Sequence, residues 1–347
     1  MTKQLIYDLS AEDLTNYLHA NQQPAFRTKQ LLEGLYGKLY SDFLQFGNIP
    51  NALKLKLAED YEINSVTLSR ELISKDKQSE KALFELLDGS KIESVLMHYE
   101  ERNSLCISTQ VGCPMDCVFC ATGQMGFKRN LSSGEILGQV IYYMRKLREQ
   151  SENLTNVVYM GMGEPFLNYD NVITSLQHLN NPDMLNFGAR RVTISTVGII
   201  PKIDKFTELD SQVNLAVSLH APTDEVRNTI VPANRLYPIK PLIAACRRYT
   251  DRTHRRLTFE YALIDSVNDS LEQADQLAYL LKGMLCHVNL IALNPSKEYP
   301  MSGSDKSQVY AFQEQLLQHG IQTTVRLRRG LEINAGCGQL ASDDNPQ

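Results

Sequence analysis

Between residues 10 and 62 the apolar positions fall at helical spacing. Leu14, Tyr17 and Leu18 share one face behind the capping pair Ser10 and Asp13, Leu31, Leu32, Leu35 and Tyr36 follow Pro24, and Leu53, Leu57 and Tyr61 follow Pro50. Three short helices in a small bundle are expected, with Arg27, Lys29 and Lys38 as basic residues suited either to RNA contact or to packing. From Val66 to His98 the period drops to two. Runs at 66–73, 81–87 and 91–98 read as strands, and Asp88-Gly89 between the last two is a turn pair suited to positive φ. In the third run Glu93 falls on the same face as Val95 and Met97, a carboxylate where the pattern asks for an apolar residue.

Beyond Leu105 short strand-like runs alternate with helical ones. Strands are expected at 105–109, 155–160, 191–195, 212–219, 256–264, 287–293 and 322–327, and helices at 132–149, 170–179, 202–208, 238–251, 270–282 and 305–319. Successive βα units of this kind imply an α/β fold with a parallel sheet and right-handed crossovers. Functional loops then belong at the carboxyl ends of the strands. The expected organisation is a helical accessory domain at 1–64, a β extension at 65–98, a core at 99–337 and a tail at 338–347, of which 341–347 reads as frayed.

The chain has seven cysteines, and three of them, Cys113, Cys117 and Cys120, stand in the spacing C-x3-C-x2-C with Phe119 just before the last. One tight loop brings these thiols together locally. Iron–sulfur clusters are normally held by four Cys and structural zinc by four ligands. Three close thiols without a fourth imply a centre with one open position, able to chelate a substrate-like cofactor. A zinc knuckle borrowing a distant Cys or His is the alternative, against which stands the absence of paired C-x2-C units. Cys106 is offset by seven residues from the triplet. Cys337 lies between Gly336 and Gly338 and is expected to be a mobile, accessible thiol, whereas Cys246 and Cys286 read as small buried hydrophobes.

Polar groups gather where the strands should end. The strand near 157–160 runs into Gly161-Met162-Gly163-Glu164-Pro165, in which the glycines let backbone approach a ligand and Glu164 is the polar group placed there. Later strands end at Ser195-Thr196, at Ser218-Leu219-His220 and at Asn294-Pro295. Such ends on consecutive units suit hydrogen bonding to a ribose or an adenine.

The stretches CISTQVGCPMDCVFCATGQMGFKRNL, GMGEPFLNYDNV, RRVTISTVGIIPKI, NLAVSLHAPTDEVRNTIVPANRLYPI, HVNLIALNP and RRGLEINAGCGQL resemble the RlmN-type adenine-C2 RNA methyltransferases of the radical S-adenosylmethionine (SAM) superfamily. The resemblance covers essentially the whole chain. Gly336 stands where that family often has Ala, and Glu332 where it often has Asp. The nearest relatives of that family are the Cfr-type C8 methyltransferases, but Val111, Pro165 and Arg328-Arg329-Gly330 look more like the C2 group.

The resemblance implies a partial (β/α)6 radical SAM barrel with one [4Fe-4S] cluster on Cys113, Cys117 and Cys120. It places SAM against Gly163, Glu164, Ser195, Ser218, Leu219, His220 and Asn294. It implies that Cys337 takes a methyl group from one SAM and that a 5′-deoxyadenosyl radical from a second removes a hydrogen atom from it. The methylene radical then adds to the base. Cys106 forms a transient disulfide with Cys337 to free the product, for which thiolate character is needed. Glu93 serves as acid/base, with an apolar strand face to raise its pKa. Implied partners are 23S rRNA, tRNA and an electron donor such as flavodoxin or ferredoxin, and the implied state is a monomer. The chemistry suits a radical, because C2 of adenine has no lone pair with which to attack a methyl cation equivalent.

Charge refines the picture. With 35 basic and 40 acidic residues the net charge is −5, which argues against a nonspecific nucleic-acid coat. It leaves room for local clusters at Lys128-Arg129, Arg190-Arg191, Arg247 to Arg256 and Arg326 to Arg329, each fit for RNA or for solvation. No apolar run approaches the ~20 residues needed to span a bilayer. The first residues lack a signal-peptide core, and clustered cysteines in odd number fit a reducing compartment, so a cytoplasmic protein without membrane contact is expected. A reading from another class remains open at this point: a non-catalytic metal-binding module that contacts RNA.

Overall fold

The computed structural model describes residues 3–294, 301–326 and 330–341. Ten strands form one sheet whose spatial order follows the chain: β1 (Thr67–Ile73), β2 (Ser79–Glu85), β3 (Lys91–Tyr99), β4 (Arg102–Cys106), β5 (Asn156–Tyr159), β6 (Val192–Thr196), β7 (Asn214–Ser218), β8 (Leu257–Leu263), β9 (Cys286–Ala292) and β10 (Thr323–Arg326). β1 to β4 pair antiparallel, and every pairing from β4 onward is parallel. The three early strands thus continue the same sheet as the α/β core.

The helices are α1 (Ala11–Ala20), α2 (Phe26–Leu32), α3 (Asn51–Asp60), α4 (Ala121–Gln124), α5 (Ser133–Glu149), α6 (Tyr169–Asn180), α7 (Ile200–Thr207), α8 (Asp224–Ile230), α9 (Ile239–Thr253), α10 (Leu271–Leu281) and α11 (Lys306–Gln318). From β4 onward each crossover between parallel neighbours carries at least one of them. Leu105, Val157, Ile194, Leu215, Phe259 and Val288 alternate with more polar positions along their strands and are completely buried. The alternate positions, among them Cys106, Ser195, Ser218, Glu260 and Asn289, point the other way. Alternation along a strand therefore sorts the core from the site.

The accessory helices are fastened to α5. Ser132 and Glu135 make its capping box. Asp8 Oδ1 accepts from Gly134 N at 2.6 Å and Ser133 Oγ at 3.0 Å. Arg145 donates to the carbonyl of Leu39 at 2.7 Å and to Asn64 Oδ1 at 3.1 Å, and Arg148 donates to the carbonyls of Gly37 and Lys38. Gly138 permits the approach, since a Cβ there would sit 1.8 Å from Ser65 Oγ.

One expectation changes, and two elements go beyond those expected. The run placed at 105–109 forms its strand earlier, at Arg102–Cys106, because β3 turns back at once through Glu100 and Glu101. Helix α8 has no apolar stripe to announce it, since it buries Arg227 and Ile230 amid polar neighbours. The pairing of Gln110–Gly112 with Phe127–Asn130 encloses the cysteine loop and has too short a run for a period. Pro295, Leu327, Arg328, Arg329 and the tail beyond Ala341 lie outside the described residues. Among the described residues no helix is long and apolar enough to cross a membrane.

Replacing Asp8 with Ala leaves the first turn of α5 without its external acceptor. The expected loss is about 1–2 kcal/mol, read as a lower urea midpoint with an unchanged slope.

Candidate active site

Two adjoining cavities open at the carboxyl ends of the parallel strands. The larger, about 950 Å³ with its open mouth, is lined by Cys113, Cys117, Cys120, Glu164, Ser195 and Asn294 among others. The smaller, about 500 Å³, is lined by Val95, Met97, Cys106, Thr122, Arg326 and Leu340. Cys120, Met160, Gly161, Cys337 and Gly338 line both.

The cysteine loop is shaped by backbone bonds. Cys113 N donates to the Gly126 carbonyl at 2.9 Å, Cys120 N to Cys117 at 3.0 Å and Val118 N to Ile230 at 3.2 Å. The Phe119 ring meets His220 edge-on at 5.0 Å, which gives the aromatic before the third Cys a packing role. Burial pushes the Cys113 thiol up to about 12 and moves Cys117 the same way. Such thiols keep their protons until a metal displaces them, as expected of ligands shut away from water. No three His, Cys, Asp or Glu side chains among the described residues converge on a single-ion site. The three thiols nonetheless face one cavity, and a set of cysteine sulfurs is the donor chemistry that an iron–sulfur cluster takes.

Opposite the thiols, Glu164 is 4% exposed. Its carboxylate accepts from Phe166 N at 2.9 Å and Val197 N at 2.7 Å, and its own N–H donates to Gln110 Oε1 at 2.8 Å. Burial outweighs the hydrogen bonds and pushes its pKa up to about 7. A ligand ammonium would restore the charge. Gly163 holds φ at +101°, and a Cβ there would lie 2.5 Å from the Gln110 Cβ, so only glycine lets this turn pack. Ser195 Oγ and Ser218 Oγ stand 3.4 Å apart on the same wall. His220 Nδ1 accepts from Ala262 N at 3.0 Å, and burial lowers its pKa to about 3, so the ring is neutral. Asn294 donates through Nδ2 to the Cys337 carbonyl at 3.3 Å. Its buried Oδ1 has no partner among the described residues, which leaves an acceptor for a ligand N–H or O–H. Leu219 is placed differently from its neighbours: it is fully buried and does not line the cavity.

The Cys337 loop, expected to be mobile from its glycines, is held by hydrogen bonds in this structure. Ala121 N donates to the Gly338 carbonyl at 2.7 Å, Thr122 Oγ1 to that of Leu340 at 2.6 Å, and Gly336 N to Gln339 Oε1 at 3.0 Å. The Cys337 residue itself stays exposed to the cavities. Cys106 shares the smaller chamber with it, but burial pushes its thiol up to about 12. The expected thiolate is therefore a neutral thiol in this state.

Cys106 pairs with Val95 across β3 and β4, which puts Glu93 on the same face two residues along. Glu93 is 3% exposed, and its surroundings are not simply apolar. Lys81 Nζ lies 2.9 Å from Oε1, and Oε2 accepts from Ala341 N at 3.0 Å. The lysine comes from the diagonal position on β2, where a period-two reading of one strand has no view of it.

Comparison with known proteins fits this geometry. Residues 107–278 match the model of the Radical SAM superfamily, and residues 5–63 match that of the ribosomal RNA large subunit methyltransferase N-terminal domain. A probable dual-specificity RNA methyltransferase RlmN of Geobacillus thermodenitrificans is 45% identical over 342 residues, covering 99% of this chain and 94% of the relative. One of the same description from Clostridium tetani is 44% identical, covering 96% and 95%. A crystal structure of a radical SAM methyltransferase from Sphaerobacter thermophilus superposes with a TM-score of 0.96 at 46% identity, covering 98% of this chain and 100% of the other. This chain belongs to the RlmN family.

The RlmN-family assignment makes the chain an enzyme of the methyltransferase class with the α/β radical SAM fold. Membership implies an iron–sulfur cluster, SAM and an RNA substrate. Two site residues escaped the sequence reading. Arg227 is fully buried and donates to the carbonyls of Leu219, Val197 and Ser218 and to Asn234 Oδ1, tying the loops after β6 and β7 together. Glu260 is a buried carboxylate on β8 that faces the larger cavity. Nothing in the local pattern marked either. Much of the expected basic surface is engaged within the RlmN-family fold itself. Arg129 pairs with Asp88 and Glu135, Arg248 with Asp204, and Arg252 with Glu208, while Lys128 donates to Ser90 Oγ.

Glu164 makes a pH prediction. Its folded pKa lies above the unfolded one, so its contribution is intact below about 4.5 and is lost as pH rises through about 7. Relative to Glu164→Gln, the ligand-free protein should lose about 3 kcal/mol between pH 4 and pH 8, measured by urea denaturation at each pH. The same variant should bind SAM more weakly at pH 8. A stability difference that is flat with pH would contradict this account of Glu164.

Proposed function

We propose that this enzyme methylates C2 of adenosine in 23S rRNA and in tRNA and that Cys337 carries the methyl group on its way. The observation that supports the reading most is the position of Cys337 on the boundary of two chambers, with Cys113 and Cys117 on one side, Cys106 on the other and Cys120 lining both. Cys113, Cys117 and Cys120 would hold a [4Fe-4S] cluster, which when bound supplies the electron that splits SAM. Glu164 would take the SAM amino group, with Gly163, Ser195, Ser218, His220 and Asn294 around the rest of the molecule and the buried Leu219 anchoring its segment in the core.

In this reading the Cys337 sulfur first accepts a methyl group from SAM. After one hydrogen atom is removed from that methyl, the remaining methylene adds to C2 of the base. Glu93 then accepts the proton from C2, once the Ala341 N–H has moved off its carboxylate. The adduct gives up its unpaired electron, for which the oxidised cluster would be the acceptor when bound. Cys106 then attacks the Cys337 sulfur, the carbon–sulfur bond breaks with its electron pair left on the former methylene carbon, that carbon takes a proton to become methyl, and a disulfide remains that must be reduced before the next cycle. A small electron carrier, flavodoxin or ferredoxin, is the reductant for the cluster. The helical domain at 1–64 is assigned to RNA contact, and the working unit is a cytoplasmic monomer.

Removing Cys106 tests the order of events. Cys106→Ala should accumulate a covalent protein–RNA adduct visible on a denaturing gel, while Cys337→Ala should transfer no methyl group. Normal turnover by Cys106→Ala would remove that thiol from the mechanism. Mass spectrometry of the product nucleoside should find methyl on C2, and methyl on C8 would instead assign the Cfr-type activity.

A further inference from the structure

The smaller chamber contains a cation that the steps above leave without a task. Arg326 is the last residue of β10, in register with Ile291 of β9. Its hydrogen bonds among the described residues go to sulfurs rather than to a carboxylate. Nη1 lies 4.0 Å from Cys337 Sγ, and Nη2 lies 3.7 Å from Met97 Sδ. Cys106 lines the same chamber. Glu260, held by Asn289 Nδ2 at 2.9 Å, is the nearby anion that balances the guanidinium without forming a close pair with it. The sequence placed this arginine in a basic cluster for gripping RNA. The structure turns its side chain into a pocket where sulfur is the principal neighbour.

We propose that Arg326 is a positioning residue for the methylation of Cys337, holding the sulfur at the boundary of the two cavities and offsetting its negative charge as it attacks SAM. The inference rests on the reading above that Cys337 accepts a methyl group. In that step a lone pair on Sγ forms the new bond to the methyl carbon. The bond from that carbon to the SAM sulfonium breaks, and its electron pair stays on the sulfur of S-adenosylhomocysteine. The proton once on Cys337 leaves to solvent through the open mouth, and nothing is oxidised or reduced. Burial raises the pKa of the Cys337 thiol and Arg326 opposes that rise. The form that attacks is the anion and the product is a neutral thioether, so a fixed cation lowers the cost of the attacking form more than that of the thioether. The guanidinium stays charged at any working pH, so the offset it gives the sulfur does not titrate away.

The test uses full-length protein with its cluster reconstituted anaerobically, SAM added and RNA withheld. Methylation of Cys337 is followed by peptide mass spectrometry in the wild type, Arg326→Gln and Arg326→Lys. The Gln variant should methylate Cys337 at least tenfold more slowly, with the loss in the maximal rate rather than in the SAM concentration needed for half of it. The Lys variant should recover most of the rate. The electron paramagnetic resonance signal of the reduced cluster with SAM should be the same in all three. A wild-type rate in the Gln variant overturns the proposal, as does an equal loss in both variants, which would mean a packing role. Absence of methylation in the wild type would instead sink the reading on which it rests, and this proposal with it.

Discussion

The site depends on a short set of hydrogen bonds that fasten the end of the chain to the cysteine loop. Ala121 and Thr122 stand directly after Cys120 and hold the carbonyls of Gly338 and Leu340. Asn294, at the end of β9, holds the carbonyl of Cys337 from the opposite side. Between these points the loop has little choice about where its sulfur goes. A thiol more than two hundred residues from the triplet is thereby fixed on the wall shared by two cavities. The energy of three such bonds is modest, roughly 1 kcal/mol each, so the loop can be displaced when RNA or SAM offers better contacts.

Charge burial is the second constraint. Glu164, Glu93, Glu260 and Arg227 are all nearly or fully enclosed. Each needs partners, and the partners differ in kind. Arg227 spends its donors on backbone carbonyls and sets loop geometry. Glu93 has a lysine and an N–H from the pinned loop. Glu164 has only hydrogen-bond donors, too few to keep it ionised at neutral pH, and so is poised for a cationic ligand. Burial thus separates a scaffold residue from a residue awaiting a ligand.

Much of this was legible in the sequence. The period change at Val66 and the alternation after Leu105 mark runs that overlap all ten strands, whereas the first three, set apart as an extension, join the core sheet through pairings that no single run shows. The triplet Cys113, Cys117 and Cys120, the turn at Gly163 and Glu164, and the ends at Ser195, Ser218 and Asn294 all reach one cavity, as strand-end loops should. What stayed hidden depends on contacts across the chain. Lys81 meets Glu93 only through strand pairing, Arg326 meets Cys337 only through the fold of the last loop, and Arg227 sits in a helix too short and polar to show a period. Glycines around Cys337 suggest mobility, yet the carbonyls of Gly338 and Leu340 are taken by α4.

The central claim is that the methyl group reaches RNA by way of Cys337. The most direct measurement loads the protein with trideuteromethyl SAM, removes the unbound label, and then runs one turnover on RNA with unlabelled SAM. The account predicts that the methyladenosine formed carries two deuterium atoms, the third having left in 5′-deoxyadenosine. A methyl group free of deuterium in that first turnover would contradict it.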